Sequence, residues 1–572
     1  MGLATASMAP GSPPELRFER YLLPFRSRRL PLYRFDAVVV GCGAAGSAAA
    51  LAAADGGAEV ALIAKGDVEE TNTFYAQGGV AAVLGSDDSF DAHVADTLAV
   101  GCGLCDESTV ESVVRAGPGA IEDLLRRGAQ FDRQRDGSLD LSREGGHSRA
   151  RIAHAHGAST GLEIQRTLIR SMRAHAGIAV FERTFALDVL TDRDGRAVGV
   201  LCRTERGELV VFASDQVVLA TGGAGQIYRE TTNPDIATGD GVAMAFRAGA
   251  RLRDLEFFQF HPTCLYIAGA ARVLVSEIVR GAGGLLLDKD RVRFMPEYHP
   301  DAELAPRDVV SRACFDRMVR TGDTNVYLDL SQLGRDPHVL FPGISRICRV
   351  FAIDIARDPI PVRPGAHYMI GGVRVDADGR TDVPGLWAVG ECASTALHGA
   401  NRMGSNSLLE GLVLGRRAGA LVADERREAA TRLPEGGGEP AGSADHGVRL
   451  SLEDMTYSLK SLMWRQMGIE RNGAALEEAA QRLDFWRHAI DSLAPAEPRA
   501  WELENMLTLS RLATAAALER EESRGTHHRS DFPEPRDEWR VHLSLRPEHS
   551  GGRVVATHLQ REPVAAPAAT RR

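Results

Sequence analysis

The 572-residue chain has no apolar run of roughly 18 residues, the length a membrane-spanning helix needs, so no transmembrane segment is expected. It has little cysteine. The eight thiols are scattered at 42, 102, 105, 202, 264, 314, 348 and 392. Only Cys102-Gly-Leu-Cys105 has metal-like spacing, and no second pair partners it. Two reduced structural thiols are the reading there, no metal is expected, and the pattern fits a reducing cytosol. Strong charge bias is also missing. A net charge of −10 over this length gives no reason to expect nucleic acid or an anionic membrane as partner. The basic start and apolar core of a secretory signal are absent. Arg17, Arg20, Arg26, Arg28, Arg29 and Arg34 would suit an organellar transit peptide, but Glu15 and Glu19 oppose it. Residues 1–35 are therefore expected to be a disordered extension.

What is present is an ordinary soluble composition, 44% hydrophobic and 25% charged, in a chain long enough for about two to four domains. The organising stretch is Asp36-Ala-Val-Val-Val-Gly41-Cys-Gly43-Ala-Ala-Gly46-Ser-Ala-Ala-Ala. A β-branched run, a Gly-x-Gly-x-x-Gly turn and an Ala-rich helical run follow one another. Gly41 allows the tight turn, Gly43 admits a pyrophosphate to the backbone, and Gly46 lets helix and strand pack closely. The helix N-terminus then presents N–H groups to phosphate. The second strand, Glu59-Val-Ala-Leu-Ile-Ala-Lys65, ends in lysine where a ribose-reading acid is usual. That argues against a standard NAD site and does not by itself choose FAD.

Further on, Thr71-Asn-Thr-Phe-Tyr-Ala-Gln77-Gly78-Gly79 is a polar, Gly-ended loop able to line a cofactor. Residues 106–128 read as a helix interrupted at Gly117-Pro118. Val217-Val-Leu-Ala-Thr-Gly222-Gly223 is a buried strand ending in glycines. Residues 257–366 change to Arg-, Pro- and acid-rich sequence with short strands, as an inserted domain would. The α/β pattern resumes at Thr381-Asp-Val-Pro-Gly385-Leu-Trp-Ala-Val-Gly390-Glu391, with a helix from about Ser407 to Val422. The expected organisation is an extension at 1–35, a Rossmann-like α/β domain at 36–256 and 367–428, and a capping domain at 257–366. A linker at 429–449, a helical domain at 450–530 and a mostly disordered tail at 531–572 complete it.

Several of these stretches match one family in order. They are Gly41 to Gly46, Thr73-Phe-Tyr-Ala-Gln-Gly-Gly79, Leu141-Ser-Arg-Glu-Gly-Gly-His147, Ala220-Thr-Gly-Gly223 and Asn233-Pro234 with Gly239-Asp-Gly241. Gln259-Phe-His-Pro-Thr263, Glu303-Leu-Ala-Pro-Arg307-Asp308, His367-Tyr368 and His398-Gly-Ala-Asn-Arg-Met-Gly-Ser-Asn-Ser-Leu-Leu-Glu410 continue the series. From residue 36 to 425 the chain resembles the succinate dehydrogenase and fumarate reductase flavoproteins, and within them the L-aspartate oxidases. The resemblance implies an α/β, Rossmann-like FAD-binding domain interrupted by an α+β capping domain and followed by a C-terminal helical bundle. It implies oxidation of L-aspartate to iminoaspartate, with O2 or fumarate as acceptor, as the first step of NAD synthesis. Quinolinate synthase is the partner next in line, and the setting is cytoplasmic.

Carried over by position, the resemblance puts FAD against Gly41, Cys42, Gly43, Ala44, Ala45, Gly46, Lys65, Asn72, Thr73, Phe74, Tyr75, Ala76, Gln77, Gly78, Gly79, Asp240, Glu391, Ser407 and Leu408. Lys65 fills the place of the missing acid. Asn72 stands where the dehydrogenases carry the histidine that bonds covalently to FAD, so non-covalent FAD is expected. His261, Thr263, Ser276, His367 and Arg402 are the candidate clamps for a four-carbon dicarboxylate; arginine offers carboxylates a planar fork. Arg307 is the candidate catalytic residue, with Asp308 or Glu277 as its relay. Glu144 is the candidate reader of the substrate ammonium through a charge-assisted hydrogen bond. Which group takes the amine proton, Arg307 or Glu144, stays open. Two rivals remain: a dehydrogenase or reductase flavoprotein subunit, and a non-enzymatic flavin sensor on the same fold.

Overall fold

The computed structural model describes residues 16–157, 159–268, 272–426, 433–436, 451–493, 497–550 and 552–565. Its centre is a five-stranded parallel sheet ordered Leu386–Ala388, Val217–Leu219, Ala37–Val40, Val60–Ile63 and Ile178–Phe181. Ala37 to Val40 are buried on both sides, as a parallel strand covered by helices on each face must be. The glycine turn leads straight into helix Ala44–Asp55. Gly41 sits at φ +106°, and a Cβ there would lie 2.2 Å from the Ala220 carbonyl oxygen. A Cβ on Gly46 would lie 1.9 Å from the Gly41 carbonyl oxygen, so that helix crosses its strand at a distance only glycine permits. Helix Asn406–Glu425 packs along it, with Gly415 and Gly419 meeting the backbone of Ala45 and Ala49.

The stretch expected to form a cap builds a four-stranded antiparallel sheet from Phe258–Leu265, Ile360–Met369, Val326–Asp329 and Leu285–Leu287. Helix Arg307–Thr321 lies beside it, and Val310, Cys314, Leu328, Ile360 and Val362 share its apolar core. Strand Ile360–Met369 runs past 366 and carries His367. Helices Leu452–Gln466, Gly473–Leu493 and Pro498–Glu519 form the helical part.

Three expectations are corrected. Within the supposed extension, strand Leu16–Glu19 buries Leu16 and Phe18 and exposes the residues between, and it pairs with Arg553–Pro563. Leu32–Arg34 adds a parallel edge to Leu209–Ala213. Within the supposed tail, Val541–Ser550 and Arg553–Pro563 form a hairpin in a six-stranded sheet, with Leu543, Leu545 and Val554 buried. Period-two apolar alternation beneath Arg, Pro and His is the physical reason. Helix Glu107–Arg126 runs unbroken through Pro118, because burial of Val110, Val113, Val114, Ile121 and Leu124 outweighs one lost hydrogen bond. Residues 1–15, most of the 429–449 linker and 566–572 lie outside the described residues.

Candidate active site

A deep cleft of about 1820 Å³, open mouth included, runs from the glycine turn between the parallel sheet and the cap. One end is a nucleotide cradle. Gly41 to Ala45 line it at the start of helix Ala44–Asp55, whose N-terminus carries the positive dipole end; Ala44 N–H donates to Thr73 Oγ1 at 3.0 Å. Lys65, at the end of its strand, donates to Thr238 Oγ1 (2.8 Å) and Asp240 Oδ2 (2.8 Å) and pairs with Glu502 (2.7 Å). Burial alone would lower its pKa, yet these carboxylates hold it above its ordinary value, so it stays charged. Asn72, Thr73 and Tyr75 to Gly79 line the cradle, as do Asp240, Glu391, Ser407 and Leu408. Asn72 Nδ2 donates to Glu391 Oε2 at 3.0 Å, while Asn72 Oδ1 is buried with no partner among the described residues. An orphaned acceptor beside an extended glycine cradle fits a bound group that brings its own donors.

The other end is polar and cationic. Arg307, first residue of its helix, directs Nε and Nη2 to Glu277 Oε2, each at 2.8 Å. Arg402 stacks on Tyr368, its guanidinium carbon 4.4 Å from the ring centroid. Both arginines donate through Nη1 to one oxygen, Gln259 Oε1, at 3.3 and 3.2 Å. Two buried cations bridged by a neutral amide, with Arg402 Nε unpartnered among the described residues, make a site for a doubly anionic ligand. Burial and the nearby Arg307 bring Arg402 down to about 10, so it remains protonated at neutral pH. His261 and His367 face each other at 5.3 Å between ring centroids, and Thr232 Oγ1 lies 2.9 Å from His367 Nδ1. Burial first, then the surrounding guanidinium groups, push both imidazoles well below their ordinary pKa, so they are neutral hydrogen-bonding groups. Glu144 is buried at the same end, and Ser405 Oγ donates to its Oε2 at 2.7 Å.

The family model of an FAD binding domain matches residues 36–408, and that of the fumarate reductase flavoprotein C-terminus matches 456–571. An L-aspartate oxidase of Streptomyces coelicolor is 43% identical over 541 residues, covering 91% of this chain and 93% of its own. One from Mycobacterium leprae is 45% identical over 541 residues, covering 91% and 95%. The chain belongs to the L-aspartate oxidase family. A quinol fumarate reductase subunit from E. coli superposes with a TM-score of 0.85 at 33% identity, over 95% of this chain and 99% of that one. The family's cofactor is FAD, and the cradle fits it: the glycine turn and helix start suit the pyrophosphate, Lys65 and Asp240 the far end, and Asn72 and Glu391 the end beside the arginines.

Among the oxidase-family positions named from sequence, Glu144, His261, Ser276, Arg307, His367 and Arg402 converge on the cleft. Thr263 does not line it. Its hydroxyl donates to the Val275 carbonyl (2.8 Å) and its N–H to His261 Nδ1 (3.3 Å), so it stands behind His261 and orients that ring. Gly46 serves helix packing, and Phe74 turns away against Tyr75. Asp308 points away as well, accepting from Asn401 and pairing with Arg312. Glu277 is the partner of Arg307, and Arg280 Nη2 lies 3.3 Å from its second oxygen. Gln259 and Ser405 were missed. Both sit inside quoted motifs, but an amide or hydroxyl carries no signal of its role until its neighbours are known. The thiols are inert: burial pushes Cys42 and Cys105 up to about 12. Among the described residues no cluster of three or more His, Cys, Asp or Glu could hold a metal, and no helix is long and apolar enough to cross a membrane.

Proposed function

We propose that this chain oxidises L-aspartate to iminoaspartate, with the substrate held between the arginine pair and Glu144. One observation carries the reading: a buried carboxylate, Glu144, stands at the same end of the cleft as two guanidinium groups. A dicarboxylate that also bears an ammonium group meets all three charges. Bound FAD supplies the two-electron acceptor for the hydride that leaves substrate C2. Arg402 and the neutral His261 and His367 bind and orient the carboxylates. Glu144 holds the ammonium through a charge-assisted hydrogen bond. As hydride leaves C2 the ammonium gives up one proton; Arg307 takes it as it hands one of its own to Glu277, the carboxylate that Arg307 and Arg280 keep ionised. The substrate-binding roles of Ser276 and Thr263 are a hydroxyl at the wall and a brace behind it.

Reoxidation by O2 or by fumarate, passage of iminoaspartate to quinolinate synthase, and a cytoplasmic setting complete the proposal. The fumarate arm is supported by the likeness in fold to a quinol fumarate reductase subunit. The test is anaerobic mixing of the yellow holoenzyme with L-aspartate and, separately, with succinate. Bleaching by aspartate, with recovery on fumarate or O2, is expected. Bleaching by succinate alone would move the chain to the dehydrogenase branch, and a silent flavin with both would remove the catalytic role from Arg307.

A further inference from the structure

The loop that carries Glu144 and the loop that carries Arg402 are tied together by one imidazole. His147 Nε2 lies 3.0 Å from the Gly404 carbonyl oxygen, and His147 Nδ1 lies 3.2 Å from Arg151 Nη1. A guanidinium can only donate, so Nδ1 accepts and the Nε2–H donates to Gly404. The tautomer is thereby fixed by Arg151, which is itself buried and pinned to Asp88 (2.8 Å) and Asp96 (2.6 Å). The carbonyl that His147 holds belongs to a residue in an exacting place. A Cβ on Gly404 would lie 2.9 Å from Arg307 Nη2 and 3.0 Å from Glu144 Oε2. Gly404 is thus the spacer between the guanidinium and the carboxylate. The next residue, Ser405, adopts φ +62°, uncommon for serine, and its hydroxyl fixes Glu144 at 2.7 Å.

We infer that His147 is a positioning residue for amine recognition: through the Gly404 carbonyl it sets the distance between Glu144 and Arg307, and so distinguishes an aminated from a plain dicarboxylate. The inference rests on Glu144 as the reader of the ammonium. His147 touches neither substrate nor cofactor in this account. Its effect passes through Gly404 and Ser405 to Glu144, whose partner is the ammonium; the carboxylates fall to the two site histidines and to Arg402, whose side chain is set by Gln259 and Tyr368.

The experiment compares two ligands on the holoenzyme. L-aspartate is read by half-saturation of anaerobic flavin bleaching, and succinate by its perturbation of the oxidised flavin spectrum. His147→Phe, which keeps the bulk and loses the donor, is expected to raise half-saturation for aspartate at least 10-fold while the succinate Kd stays within about twofold. His147→Gln, which restores an N–H, is expected to recover most of the loss. Gly404→Ala adds one methyl whose nearest neighbours are the ends of two side chains and no backbone atom, so the fold and FAD content are expected to survive while bleaching by aspartate slows at least 10-fold. Equal weakening of both ligands in His147→Phe, or no change in either, overturns the inference. Should that variant fail to fold, an unaltered aspartate response in Gly404→Ala overturns it. Glu144→Gln separates the two levels: if it leaves the aspartate-to-succinate ratio intact, the reading of Glu144 itself falls; if it collapses the ratio while His147→Phe does not, only the role of His147 falls.

Discussion

Arg307 and Glu277 form a forked ion pair across the cap, Nε and Nη2 each 2.8 Å from a single carboxylate oxygen, with both side chains buried. A guanidinium that is to exchange a proton needs a partner that can accept one, and among the described residues no other carboxylate bonds to this one. Replacing Glu277 by Gln leaves the shape and removes the charge. The expected result is a kcat loss of about 10²–10⁴-fold with aspartate binding changed by no more than about threefold, the signature of a group used only in the reaction step. Single-turnover bleaching under anaerobic conditions measures it. A change in binding alone, with kcat intact, would remove Glu277 from the proton path.

Arg402 owes its place to Gln259 on one side and to Tyr368 on the other. Lysine at this position keeps the charge and loses both the fork and the flat face. Arg402→Lys is therefore expected to weaken aspartate and succinate alike, by about 10–100-fold, or ~1.4–2.8 kcal/mol. Titration of the oxidised flavin spectrum with each ligand reads it. Preferential loss of aspartate would mean that Arg402 is not a common clamp for the carboxylates of both ligands.

The contrast between what could and could not be read in advance has a physical basis. The glycine turn, Lys65 at the strand end and the Arg402 loop are local: neighbours in sequence create the geometry, and a reader of the chain meets them together. The sheet joining Leu16–Glu19 to Arg553–Pro563 is the opposite case. Its partners are the two ends of the chain, and Arg and Pro between the buried residues mask the alternation. Thr263 shows a third situation. It lies in a motif with His261, but strand Phe258–Leu265 carries a register irregularity between His261 and Cys264, and the Thr263 hydroxyl is spent on Val275. From the sequence Asp308 and Glu277 are both candidate partners of Arg307; the first turn of helix Arg307–Thr321 aims Asp308 at Asn401 instead.

Several histidines are held neutral by burial, and this sets how stability depends on pH. His93 is lowered to about 4 by desolvation, with Arg151 adding to it, and His261, His367 and His527 are held well below their ordinary value by burial and nearby arginines. Above pH 6.5 folded and unfolded chains are equally neutral at these sites. As pH falls below 6.5 the unfolded chain takes up protons that the folded chain refuses, so stability is lost between 6.5 and about 4. His93 alone accounts for up to ~3 kcal/mol across that window. Urea melts at pH 7.5, 6 and 5 are expected to show a falling midpoint, and His93→Gln, which keeps a group for Asn406, a flatter dependence. A midpoint that rises toward pH 5 would contradict this account.

Asn72 determines how the cofactor is held. Its Nδ2 is engaged by Glu391 at 3.0 Å, and an amide has no nucleophilic ring nitrogen to link to a flavin. FAD is therefore expected to be held by non-covalent contacts across the cradle, and to leave when the fold is loosened. Dialysis against a mild chaotrope is expected to yield colourless protein that regains the yellow spectrum with added FAD. A denaturing gel of the holoenzyme should show no flavin fluorescence on the protein band. The reconstituted protein should also melt higher as free FAD is raised, by ~2.7 kcal/mol at a hundredfold excess over Kd, because FAD binds the folded chain and not the unfolded one. Fluorescence that stays with the denatured band would require a covalent link at another residue, and the cradle residues other than Asn72 would then have to be searched for it.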